Sequence, residues 1–177
     1  MTLVGYAPYL RNTLAGRTRP HVFSWLVWGS ITAIAFAGQL VEKAGPGSWV
    51  TGVSTLVCVV IFGVSLRHGE KDVAVVDWIS LGGAAAALAL WTVTERPLSA
   101  VVLVTLIDAL GFLPTFRKSF FRPFEETALT YAISVLRWLL AILALQNLSL
   151  VTWLYPASLV VMNAAFVALL LVRRRQL

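Results

Sequence analysis

Two ionisable side chains stand inside long apolar stretches of this sequence. Asp108 lies near the middle of the stretch 97–116, and Arg137 lies inside the stretch 126–145. A charge at the centre of a membrane-spanning helix costs roughly 2.5–3.5 kcal/mol on insertion scales, unless it faces the interior of a bundle and finds a partner. The pair therefore predicts either a polar centre that contacts a solute or relays a proton, or a static ion pair between neighbouring helices.

Two sets of polar side chains recur at helical spacing, each along one face of its stretch. One set comprises Thr127, Thr130, Ser134 and Arg137, and the other comprises Ser24, Trp28, Thr32 and Gln39. Residues three or four positions apart lie on the same side of a helix. The two faces therefore predict helices that line one cavity. The alternative is hydrogen bonding between helices, which side chains of these types also provide.

The composition indicates which elements carry these residues. Of the 177 residues, 59% are hydrophobic and only 12% are charged. Such a composition, with apolar runs from end to end, is typical of a polytopic membrane protein built from helices. A single cysteine cannot form a disulfide or a cysteine-based metal site within one chain. The basic residues behind the net charge of +6 lie mostly in short loops, so we predict a lipid bilayer as partner and no nucleic acid.

We predict seven membrane-spanning helices. Their bounds are Thr2–Leu14, His21–Leu40, Ser48–Leu66, Val73–Thr94, Pro97–Phe116, Glu126–Leu145 and Leu148–Val172. The first span is unusually short, because a full crossing needs about 20 residues. No linker is long enough to separate soluble domains, so residues 1–177 are predicted to form a single transmembrane domain.

The distribution of basic residues predicts the orientation. With seven spans, eleven Lys and Arg residues fall on one side and only Lys43 and Arg96 on the other. Loops rich in Lys and Arg stay on the cytoplasmic side. We therefore expect a cell-membrane protein with its N-terminus outside and its C-terminus in the cytoplasm.

The second half of the chain repeats the first. Gly5, Pro8 and Arg11 match Gly111, Pro114 and Arg117 at a constant offset of 106. Further along, Trp28 matches Tyr131, and Trp49 matches Trp153. Matches in three successive segments at nearly one offset predict two three-helix repeats, 1–71 and 97–177, joined by a linker helix at 72–96. Because the linker is one helix, both repeats have the same orientation, as in several transporters.

This arrangement resembles the SWEET and PQ-loop transporter superfamily. The family carries a Pro-Gln pair in the first helix of each repeat, whereas this chain has Pro8–Tyr9 and Pro114–Thr115, so the proline is kept and the glutamine is absent. The resemblance implies two parallel three-helix bundles around a central site that is reached alternately from each side. Members carry sugars, amino acids or nicotinamide riboside, and the missing glutamines leave the solute open.

The same resemblance implies a role for Asn163. SWEET proteins carry a pocket asparagine in their final helix, and Asn163 is similarly placed. An amide both donates and accepts hydrogen bonds, which suits a neutral polar ligand. A hydrogen bond between helices is the alternative.

Two further features concern motion and assembly. Pro8 and Pro114 each remove one hydrogen bond from a helix, so they predict either gating kinks or packing bends. Gly82 and Gly83 give the linker helix a face of small residues for close packing against a neighbouring helix or a second copy of the chain.

The sequence favours a carrier or facilitator for a small polar solute such as a sugar, amino acid or vitamin. The predicted solute-contacting residues are Trp28, Thr32, Asp108, Thr130, Ser134, Arg137 and Asn163. A receptor or accessory protein of the same fold and an ion channel are the alternatives. We expect no enzyme, no metal and no cofactor, because no nucleophile–base pair, phosphate-binding loop or metal-binding helix motif is present.

Overall fold

A computed structural model describes residues 10–11, 13–15, 20–69, 75–121, 123–124 and 128–176, with 76–77, 113–115 and 117–118 described by backbone only. Within these ranges the regular structure is helical and contains no strand, so the all-α prediction is confirmed. The six α-helices are α1 (Val22–Val41), α2 (Ser48–His68), α3 (Val75–Thr94), α4 (Pro97–Phe121), α5 (Ala128–Leu143) and α6 (Leu150–Gln176). They correspond to the second to seventh predicted spans; most of the first span lies outside the described residues.

Two helices continue further than the apolar pattern predicts. Helix α4 ends at Phe121 and α6 ends at Gln176, whereas the predicted spans end at Phe116 and Val172. Both extensions contain Lys or Arg, which are good helix formers and suit the last turn of a helix. The hydrophobic stretch therefore marks the membrane-length segment, and the helix continues beyond it.

Three segments are long and apolar enough to cross a membrane: Val22–Val41, Gly45–His68 and Leu150–Gln176. Three shorter apolar helical segments cover Trp78–Thr94, Pro97–Phe112 and Ala128–Leu143. Many large apolar side chains point outward, and Val93 and Leu143 are 82% and 80% exposed. An apolar exterior of this extent suits a lipid environment.

The helices pack as hairpins around one main core. Helix α1 packs on α2, α5 packs on α6, and α4 packs on both α3 and α6. The main core includes Ile31, Val101, Val104 and Tyr155, and thus joins α1, α4 and α6. A smaller cluster around Ile61 fills the space between α1 and α2.

Backbone hydrogen bonds join the two hairpins at the end of the bundle where α1 and α5 terminate. Gly47 N–H donates to the Ala144 carbonyl at 3.0 Å, and Gln146 N–H donates to the Ala44 carbonyl at 2.8 Å. A Cβ atom on Gly47 would overlap the Ala141 carbonyl oxygen. Glycine at this position therefore allows the α1–α2 loop to lie directly on α5.

A proline inside α6 creates another link at the same end. Pro156 has no N–H, so it cannot donate to the carbonyl four residues earlier, that of Thr152. Gln39 of α1 supplies the missing donor, because its Nε2 donates to the Thr152 carbonyl at 2.8 Å. Gln39, Thr152 and Pro156 are all buried. A side chain of the first predicted repeat thus completes the backbone hydrogen bonding of the second.

Helix α3, the predicted linker, packs closely within the chain. A Cβ on Gly83 would approach Ile107 Cδ1 of α4 to 2.7 Å, so this glycine allows a close contact between α3 and α4. Gly82 faces open space, with nothing within 4 Å of such a Cβ. The two glycines of the predicted small-residue face therefore differ in their surroundings. Gly83 packs against α4 within the chain, whereas Gly82 faces outward, as the predicted contact with a second copy requires.

Candidate functional site

All seven predicted solute-contacting residues line one cavity of about 290 Å³. They come from four helices: Trp28 and Thr32 from α1, Asp108 from α4, Asn163 from α6, and Thr130, Ser134 and Arg137 from α5. Helix α2 adds Ser54 and Cys58. The cavity thus lies between the α1–α2 hairpin and the helices of the second predicted repeat.

The position of the cavity along the bundle follows from its lining residues. In α1 the lining residues lie between positions 25 and 32, and in α5 between 130 and 138. Both groups lie in the first half and the middle of their helix, away from the end at which Gly47 and Ala144 join the hairpins. The bundle is therefore hydrogen bonded at one end and contains a polar cavity in its middle and opposite half.

Asp108 is a buried carboxylic acid with incomplete hydrogen bonding. Its side chain is 6% exposed, and Oδ2 has no hydrogen-bond partner. The Tyr155 hydroxyl of α6 donates a hydrogen bond to the carboxyl group. Tyr155 therefore orients the acid, while one carboxyl oxygen remains free.

Arg137 is held by an aromatic ring rather than by an acid. Its guanidinium lies over the Trp138 ring, 4.8 Å from the ring centre, which is within the range of a cation–π interaction. Its Nε is buried and has no hydrogen-bond partner. Among the described residues no ion pair joins Arg137 to Asp108. In the structure the two groups line the same cavity without pairing with each other.

Aromatic rings form much of the cavity wall. Trp25 and Trp28 of α1 meet edge to face at 5.3 Å, and Trp138 and Tyr155 meet edge to face at 6.2 Å. Toward the C-terminal end of α4, Phe112 and Tyr131 also line the cavity, with ring centroids 6.4 Å apart, and Phe112 contacts the fully buried Phe166 outside the lining at 6.2 Å. Only Trp28 of these rings was predicted to contact solute. The sequence match between Trp28 and Tyr131 in the two predicted repeats indicates that Tyr131 also lines the cavity.

The smaller polar residues of the site are anchored to their own helices. Thr32 Oγ1 donates to the Trp28 carbonyl at 2.7 Å, and Ser54 Oγ donates to the Val50 carbonyl at 2.8 Å. Asn163 Nδ2 donates to the Leu159 carbonyl at 2.6 Å. Donor and acceptor both belong to α6. The amide N–H of Asn163 therefore does not form the interhelical hydrogen bond that was the alternative prediction. The bond fixes the amide at the cavity wall.

The polar face predicted for α1 does not lie wholly in the cavity. Trp28 and Thr32 line it. Gln39 instead binds Thr152 at the joined end of the bundle, the end at which Gly47 and Gln146 connect the two hairpins, and Ser24 bonds to His21 at the start of α1. The prediction of one continuous lining was therefore wrong for those two residues. Helical spacing assigns residues to a face, whereas position along the axis decides which neighbours they meet.

The gating role of Pro8 and Pro114 stays a prediction. Pro8 lies outside the described residues, and the backbone of α4 continues as helix through position 114. Pro156 inside α6 does alter the hydrogen bonding of its helix, and no pattern in the sequence predicts that role.

Comparison of the chain with models of known protein families gives no match, and comparisons with curated proteins and with solved structures give none either.

Proposed function

We propose that this protein is a membrane carrier or facilitator for a small polar solute, which binds in the cavity between the two predicted repeats. The observation that carries the proposal is the convergence of the seven predicted solute-contacting residues on one cavity. Intramembrane ionisable residues that face a cavity mark solute or ion pathways.

The arrangement of the two hairpins supports alternating access as the mechanism. Hydrogen bonds hold the α1–α2 and α5–α6 hairpins together at one end, and the cavity separates them further along. A carrier needs two bodies that meet at one end at a time around a fixed site. We place the joined end outside the cell and the end with Arg173, Arg174 and Arg175 in the cytoplasm, following the distribution of basic residues.

Reconstitution tests the proposal. Purified protein in liposomes should admit at least one radiolabelled solute from a panel of sugars, amino acids and vitamins, with saturable kinetics. Replacement of Asp108 by Asn should lower that flux at least tenfold. Thr105→Val is the matched control, because Thr105 is a buried polar residue on the same helix that bonds to the Val101 carbonyl outside the cavity.

Two outcomes would contradict the proposal. Absence of flux for the whole panel, with a stoichiometric partner in the purified sample, would favour a receptor or accessory protein. Flux of ions that rises linearly with concentration and shows no saturation would favour a channel.

A further inference from the structure

The charged groups of the cavity set a requirement on the solute. Asp108 presents a carboxyl oxygen without a hydrogen-bond partner, Arg137 presents a guanidinium whose Nε has none, and no ion pair joins the two. The groups come from different helices, α4 and α5, and line the same cavity. Asp108 is buried and Arg137 is half-buried, and within the described part of the chain neither has an opposite charge in contact with it.

A charge that is held away from water needs a partner, because the protein must then replace the hydration that the charge has lost. A neutral ligand such as a sugar would leave both charges uncompensated. A simple anion would satisfy Arg137 alone, and a simple cation would satisfy Asp108 alone. A ligand with one positive and one negative group is the species that compensates both without a co-bound ion.

The surroundings of each group fix its position. The Tyr155 hydroxyl holds the Asp108 carboxyl group, and the Trp138 ring lies under the Arg137 guanidinium. The remaining wall near α1 is aromatic, formed by Trp25 and Trp28. Aromatic faces attract ammonium groups, including alkylated ones. The cavity volume of about 290 Å³ is at the small end of the ~300–1,000 Å³ typical of ligand pockets, which indicates a small solute.

We infer that the solute is a small zwitterion whose ammonium group binds Asp108 and whose carboxylate binds Arg137. The inference rests on the proposed function for the identity of the site and names the class of its ligand. Amino acids and betaines share this chemistry. They differ in whether the ammonium group donates hydrogen bonds to the free Asp108 oxygen or meets the aromatic wall through its methyl groups.

Ligand sets that differ in one charge test the inference. Four sets each contain a zwitterion, its methyl ester and its N-acetyl derivative, and their zwitterions are alanine, proline, γ-aminobutyrate and ε-aminocaproate. A fifth, quaternary set contains only glycine betaine and its methyl ester, because a quaternary nitrogen cannot be acetylated. Binding to the full-length protein in detergent is measured by the shift in unfolding temperature and by calorimetry. We expect at least one zwitterion to bind, and either modification to weaken binding at least tenfold. The chain length of the best zwitterion reports the separation of the two charged groups.

Exchange of single residues assigns each charge. In Asp108→Asn the loss caused by N-acetylation should disappear while the loss caused by esterification remains. In Arg137→Gln the opposite pattern is expected. Thr105→Val, outside the cavity, should retain both losses. Such a crossed pattern cannot arise from a general loss of structure, because each variant retains sensitivity to one modification.

The same compounds in the liposome assay separate the inference from the proposed function. Saturable flux of a neutral sugar, with no binding of any zwitterion, would overturn the inference and leave the carrier intact. Equal binding of a zwitterion and its N-acetyl derivative would overturn it too, because Asp108 would then not read the ammonium. The crossed pattern without flux would support the inference and contradict the carrier proposal.

Discussion

Replacing Gln39 with leucine and Pro156 with alanine, separately and together, tests how α1 is joined to α6. In the structure Gln39 Nε2 donates to the Thr152 carbonyl, whose helical donor is absent because residue 156 is proline. In Pro156→Ala the new N–H donates to that carbonyl, so Gln39 is no longer needed there. The cost of Gln39→Leu should therefore be smaller in the alanine background than in the wild type.

The structure also sets the magnitude. Gln39 is 1% exposed, and its Oε1 has no hydrogen-bond partner, so Gln39→Leu removes an unpaired acceptor as well as a hydrogen bond. These two effects change the free energy of unfolding in opposite directions, so Gln39→Leu alone does not measure the hydrogen bond. The coupling between the two changes isolates the hydrogen bond, which contributes about 0.5–1.5 kcal/mol in proteins and averages about 0.6 kcal/mol between membrane helices. We expect a coupling free energy in that range.

The assay is reversible unfolding of the four proteins in mixed micelles with increasing sodium dodecyl sulfate, followed by tryptophan fluorescence and circular dichroism. Gly63→Ala serves as the control partner for Gln39→Leu, because a Cβ on Gly63 meets nothing within 4 Å. That pair should be additive within about 0.3–0.5 kcal/mol. Equal additivity for Gln39→Leu with Pro156→Ala would refute the idea that glutamine replaces the missing helical donor.

Three further predictions follow from the same contacts. Gly47→Ala should destabilise the protein by about 1–3 kcal/mol, because its Cβ would overlap the Ala141 carbonyl oxygen, whereas Gly63→Ala should be neutral or stabilising in the same unfolding assay. Tyr155→Phe removes the hydroxyl that donates to Asp108 while keeping the ring, so solute affinity measured by calorimetry should fall about tenfold. The free energy of unfolding should fall by about 1–3 kcal/mol, because the buried carboxyl group loses its hydrogen-bond partner. A green fluorescent protein fused to the C-terminus should fluoresce and resist external protease in intact cells, as the basic last turn predicts; protection of an N-terminal tag instead would contradict the orientation.

The charged part of the site could be predicted from the sequence because charge is costly in an apolar helix. Asp108 and Arg137 stand out against their neighbours, and Thr130 and Ser134 share the face of Arg137, so all four were found. The aromatic part could not be found in this way. Trp25, Trp138 and Tyr155 are ordinary residues in an apolar span, where an aromatic ring is equally compatible with lipid and with a cavity.

The limits of the fold prediction have physical causes of the same kind. Helix periodicity gives the face of a residue but not its partner, which is why Gln39 was assigned to the cavity and lies at the joined end instead. The hydrophobic pattern ends where charge begins, so the last turns of α4 were missed up to Phe121. The loop contacts of Gly47 depend on the distance between two hairpins that are far apart in sequence, and no local pattern contains that distance.

The contacts at the joined end also bear on the energetics of the proposed carrier. Opening that end would break the hydrogen bonds of Gly47, Gln146, Gln39 and Asn147, the last of which donates to the Glu42 carbonyl at 2.7 Å. At about 0.6 kcal/mol each, their loss totals roughly 2–3 kcal/mol. A difference of that size leaves the open form at about 1–3% of the population, and a solute that binds the open form about a hundredfold more tightly would bring the two forms to comparable populations. The joined end is therefore strong enough to hold one state in the absence of solute and weak enough for a bound solute to release. Asn147→Ala should shift this balance toward the open form, and it would raise the rate of solute exchange if opening limits transport.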